Sequence, residues 1–67
     1  MDKKEFKTQV LNLAKSSYDK PICLDNLSKH YDEFCRLQTE HERKLKIVET
    51  AEALVNESWY YERGFSQ

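Results

Sequence analysis

The sequence predicts a small all-α protein, a three-helix bundle, and three observations carry that prediction. Its only proline, Pro21, and its only glycine, Gly64, leave the long stretch between them without a helix breaker. That stretch is dense in Leu, Glu, Lys, Ala and Arg, and apolar residues recur along it at helical rather than alternating spacing. Hydrophobic residues make up 39% and charged residues 34% of the 67 positions, a balance suited to one solvated helical domain spanning residues 1–67. A chain this short buries only about 60% of its unfolded surface, so association with another chain is a natural source of added stability.

The first helix is expected over residues 3–18. Asp2 is a good N-cap, and Glu5 follows three residues later in a capping-box-like pairing. Phe6, Val10, Leu13, Ala14 and Ser17 then form one stripe, widened by Leu11 and Tyr18. Pro21 forces Lys20 toward extended geometry, so the helix stops near Tyr18 and a short connector follows.

The second helix is expected over residues 25–37, capped by Asp25, with Leu27, Tyr31, Phe34 and Cys35 as its stripe. The third is expected over residues 40–62, the alternative being that the last two form one long helix. Continuity is favoured by opposite-charge chains at i,i+4, Asp25–Lys29–Glu33 and Asp32–Arg36–Glu40–Lys44, each pair contributing about 0.2–0.5 kcal/mol. A break is favoured by Thr39-x-x-Glu42, which reads as a capping box. The apolar stripe also changes phase by more than roughly 90° between Leu27-Tyr31-Phe34 and Ile47-Val48-Ala51-Leu54-Val55. An unbroken helix would be roughly 60 Å long against a radius of gyration of about 11 Å for a globule of this size, and would require a dimer. The break near Thr39 is the preferred reading. A continuous coiled-coil seam through Leu27, Phe34, His41, Val48 and Val55 with Tyr31, Gln38, Leu45, Glu52 and Trp59 is poor, because Gln38, His41 and Glu52 interrupt it. The third helix has an apolar face covering about half its circumference, enough to pack on two sides. Gly64 suits the C′ position, with Phe65 folding back onto Trp59 or Tyr60.

Several function classes find no support in the residues. His41-Glu42 opens like a zinc-protease motif, but Leu45 stands where its second histidine belongs. Cys23, His30, Cys35 and His41 fit no zinc-finger spacing, and the two cysteines read as free thiols packed as small hydrophobes. Cys35 with His30 or His41 is the only conceivable nucleophile–base pair, and no glycine-rich turn is present to cradle phosphate or form an oxyanion hole. We therefore expect no enzyme, no cofactor, no metal and no small-molecule substrate. No apolar run approaches the ~20 residues of a membrane span, and Met1-Asp2-Lys3-Lys4-Glu5 does not resemble a signal peptide, so the expected location is cytoplasmic, without membrane partners.

Two binding readings remain. The first is protein–protein contact, as a homodimer or with another protein, through the last helix and its aromatic end. Trp59, Tyr60, Tyr61 and Phe65 fall within seven residues, and the candidate interface is Leu45, Val48, Val55, Trp59, Tyr60, Tyr61 and Phe65. Consecutive aromatics point in three directions around a helix, so one bundle does not bury them all. The second is nucleic-acid binding through Lys3, Lys4, Lys7 and Lys15. A net charge of −1 weakens it. The more central Arg36, Arg43, Lys44 and Lys46 are interleaved with Glu40 and Glu42, and the helix after the connector is too acidic for a recognition helix.

Overall fold

The described residues form three helices, α1 (Lys3–Ala14), α2 (Leu27–Arg36) and α3 (Glu40–Gly64). The computed structural model describes residues 1–64, with side chains described through residue 60. The three-helix, all-α expectation holds, and residues 27–64 divide into two helices rather than one rod.

Helix α1 starts where expected, with the Asp2 carboxylate accepting the Glu5 N–H at 2.9 Å. It ends a turn early, at Ala14 rather than near Tyr18. The reason lies in the serines that follow. The Ser16 hydroxyl donates to the Leu13 carbonyl at 2.7 Å, while the Ser16 and Ser17 N–H groups bond to carbonyls three residues back, those of Leu13 and Ala14. A side chain competing for a backbone acceptor tightens the last turn and ends the α-helix.

Helix α2 begins at Leu27, after Asn26 rather than Asp25. Asn26 makes no side-chain cap; its amide instead donates to Glu57 Oε1 on α3. A further tie joins the connector to α3. The Ser58 hydroxyl, on a residue only 4% exposed, accepts the Cys23 N–H at 2.8 Å and donates to the Leu54 carbonyl at 2.8 Å. A buried hydroxyl with both bonds made avoids the penalty of an unsatisfied polar group.

The reversal between α2 and α3 is made by Leu37 and Thr39. Leu37 is extended, with ψ 139. The Thr39 hydroxyl accepts the Glu42 N–H at 3.2 Å and donates to the Glu42 carboxylate at 2.7 Å, as the capping-box reading anticipated. Arg43 closes the corner: its Nε donates to the Leu37 carbonyl at 3.0 Å and its guanidinium lies 5.4 Å from the Phe34 ring centre. The i,i+4 ladder Asp32–Arg36–Glu40–Lys44 therefore does not form as one helical row, because the turn interrupts it.

Helix α2 runs antiparallel to α3, as the pairs Asn26–Glu57, Glu33–Lys46 and Phe34–Arg43 require. Helix α1 packs on both. Phe6, Val10 and Ala14 from α1, Leu27 and Phe34 from α2, and Ile47, Ala51, Leu54 and Val55 from α3 form the core. Phe6 is its centre, fully buried, with its ring 4.8 Å from Phe34 and 5.4 Å from Tyr31. Cys35, expected in the apolar stripe, is exposed at the edge of α2, and Cys23 is half-buried; both are free thiols. Gly64 is the last residue of α3 rather than the residue beyond its end. The expected return of Phe65 lies outside the described residues.

Replacing Thr39 with Ala removes the cap that ends the reversal. A Thr-to-Ala change at an N-cap costs about 1 kcal/mol, which in a domain of this size lowers Tm by about 4–8 °C. Thermal denaturation followed by circular dichroism checks this, with exposed Thr8→Ala inside α1, where alanine favours the helix, as a control that does not lower Tm.

Candidate protein interface

Among the described residues, α1 and α2 leave part of the apolar face of α3 uncovered. Ile47, Thr50, Ala51, Leu54 and Ser58 point into the bundle, and α1 and α2 cover the arcs on either side of that line. The arc beyond α1 stays open. On it Val48 is 45% exposed and Trp59 43%, and nearer the α2–α3 turn Leu45 is 55% exposed. Leu13 of α1, expected to face inward, is 44% exposed and faces the same opening. Leu13, Val48 and Trp59 border a surface groove of about 390 Å³ between α1 and α3, whereas Leu45 lies in a separate shallow recess with Glu33 and Leu37, toward α2. Ala14, Ala51 and Val55 form its floor; Leu13, Val48 and Trp59 form its apolar walls, and Glu52, Asn56, Ser16 and Ser17 supply its polar lining. Trp59 is held by an edge-on contact with Tyr18, ring centres 6.3 Å apart, so its orientation is set before any partner arrives.

The expected interface residues thus divide. Leu45, Val48 and Trp59 are surface residues on one side of α3. Val55 is corrected: it is only 4% exposed and belongs to the core. Tyr60 is well exposed but lies about 100° around the helix from Trp59, off the groove. The side chain of Tyr61, and Phe65 altogether, lie outside the described residues. Leu13 was missed as an interface residue because it is one helical step from Val10 and Ala14, both buried. Only the position of α3 relative to α1 separates the two sides of that stripe.

The basic residues divide as well. Lys3, Lys4 and Lys7 gather round a second recess, of about 520 Å³, over Leu24, Leu27 and Ser28, and the Lys3 ammonium donates to the Ser28 hydroxyl. Lys15 lies apart, beside Asp19 and Lys20 at the connector. Two members of the central basic group act within the fold: Arg43 at the corner, as above, and Lys46 between α2 and α3. Lys46 Nζ donates to Glu33 Oε2 at 2.9 Å, lies 3.4 Å from His30 Nδ1 and 3.9 Å from Glu49 Oε1. The hydrogen bond and charge of Lys46 hold the Glu33 carboxyl below its usual pKa. The Tyr31 phenol is pushed above its usual value, first by its hydrogen bond with Cys35 and then by burial. Among the described residues no three His, Cys, Asp or Glu side chains are gathered where they would hold a metal ion. None of the described helices is long and apolar enough to cross a membrane.

Comparison with protein-family models, with curated proteins and with solved structures returns no match. The functional reading therefore rests on this surface.

The Glu33–Lys46 bridge carries a pH signature. A carboxyl whose folded pKa is depressed stabilises the fold above its unfolded pKa, about 4.3 for Glu, and that contribution disappears as pH falls through the folded value. Glu33→Gln should therefore be less stable than the parent at pH 7, and the two should converge in acid. Urea melts across pH 2.5–7 measure the difference; a gap that persists in acid would show that the bridge is not its source.

Proposed function

We propose that this protein is a small non-enzymatic accessory or regulatory factor that works by protein–protein contact, self-associating as a homodimer through α3. The supporting observation is the set of exposed apolar walls of the α1–α3 groove, Leu13, Val48 and Trp59, with Leu45 exposed one turn nearer the start of α3. Scattered apolar residues are normal on a protein surface, but three bordering one groove are the pattern of an interaction site. The groove is framed by two helices, so a third helix laid along it would complete a four-helix arrangement by ordinary ridge-into-groove packing. The pre-positioned Trp59 suits an interface, since an aromatic already held in place loses little freedom on binding.

Light scattering at tens of micromolar should give a mass near twice that of one chain. Val48→Glu and Leu45→Glu should shift it to the monomer while leaving the far-ultraviolet circular dichroism unchanged, because both side chains are exposed. A parent chain that is monomeric at that concentration would sink the self-association reading.

A second reading, nucleic-acid binding, is supported by the recess that Lys3, Lys4 and Lys7 share, whose lining includes no carboxylate. Neutralising three phosphates gives a slope of about −2 to −3 in log K against log salt. The Lys3→Ala/Lys4→Ala/Lys7→Ala variant should lose that slope in a fluorescence-anisotropy titration with labelled single- and double-stranded oligonucleotides. Absence of binding by the parent at low salt removes the reading.

A further inference from the structure

We infer that the second copy lies antiparallel along α3, in the register that sets Leu45 against the partner's Val48 and His41 against the partner's Glu52. This rests on the self-association reading above and adds its geometry.

The residues on the open side of α3 follow a heptad seam: His41, Leu45, Val48, Glu52, Val55 and Trp59, at alternating steps of four and three. Val55 is covered by the bundle, and the other five are exposed. Two of the exposed five are polar, and they decide the arrangement. A parallel, in-register pair would set Glu52 against the partner's Glu52 and His41 against the partner's His41, so that each polar residue meets its own like. Reversing one helix changes the pairing. The register that seats Leu45 on the partner's Val48 also brings His41 onto the partner's Glu52, and by symmetry the same pairs form twice. The apolar residues then occupy the centre, and an imidazole–carboxylate pair lies at each end. Like charges forced together oppose association, whereas complementary ones fix register more than they add affinity.

The flanking charges agree with this placement. Glu42 is turned back into the Thr39 cap, and Glu49 lies 3.9 Å from the Lys46 ammonium of its own helix, so the acidic flank is partly neutralised. The paired segment, residues 41–52, is about 17 Å long, well within α3. Trp59 then projects past the paired segment, toward the turn that precedes the partner's α3.

Disulfide trapping tests the register. In a full-length chain carrying Cys23→Ser and Cys35→Ser, His41→Cys and Glu52→Cys are made separately, both at exposed positions, then mixed and oxidised. The expected product is the mixed 41–52 disulfide, with each variant alone giving little covalent dimer, since like positions lie about 16 Å apart along the axis in this register. A second arm uses charge. His41→Glu should weaken dimerisation by about tenfold or more, and adding Glu52→Lys should restore it. Covalent dimers formed by each variant alone would overturn the antiparallel register in favour of a parallel one. Concentration-dependent dimers that yield no 41–52 bond would overturn the register and leave the self-association reading standing. A chain that stays monomeric would overturn both.

Discussion

Thr39 decides whether residues 27–64 form one rod or a hairpin of two helices. Its hydroxyl accepts the Glu42 N–H and donates to the Glu42 carboxylate, so α3 starts afresh instead of continuing α2. Leu37, extended just before it, carries the chain out of α2, and Arg43 ties the corner to both Leu37 and Phe34. The contacts between α2 and α3 depend on that reversal. It sets Glu33 beside Lys46 and lets Asn26 reach Glu57. A cap contributes only about 1 kcal/mol, but here it selects between two architectures that the charge pattern alone leaves nearly balanced.

The features legible in the sequence are those governed by neighbours a few residues away. The Asp2 and Thr39 caps, the change of phase between the α2 and α3 stripes, and the core positions Phe6, Val10, Leu27, Phe34, Ile47 and Leu54 all follow from local spacing. What was illegible depends on contacts distant in the chain. Asn26 does not cap α2: its backbone is not in the extended conformation of an N-cap, and its amide N–H donates to Glu57, thirty-one positions on. Thr50 is fully buried despite its hydroxyl, which its spacing hardly suggests, because it donates to the Lys46 carbonyl at 2.6 Å.

Val48 and Val55 show how fine the distinction at the candidate site becomes. They are seven residues apart and differ by only about 20° around the helix. One is 45% exposed and the other 4%. Hydrophobic periodicity gives both the same place on the apolar face. Their fates differ because Val55 lies on the floor of the groove beside Ala14, while Val48 forms its wall. Leu13 on α1 is the mirror case: adjacent in sequence to buried Ala14, it forms the opposite wall.

Large walls over a small floor make this face a groove rather than a flat patch. Alanines at positions 14 and 51 bring the two helices close at the base, while Leu13, Val48 and Trp59 stand up on either side. Burying those walls within one chain would require another helical segment over the groove. Helix α2 is held on the far side of α3 by the Thr39 reversal and by Lys46, and the connector is held there by Ser58. The same contacts that close the core on one side of α3 therefore leave its other side open. In the proposed dimer a second helix bearing the same arc covers part of it, and reversing that helix lets Glu52 meet His41 instead of its own copy.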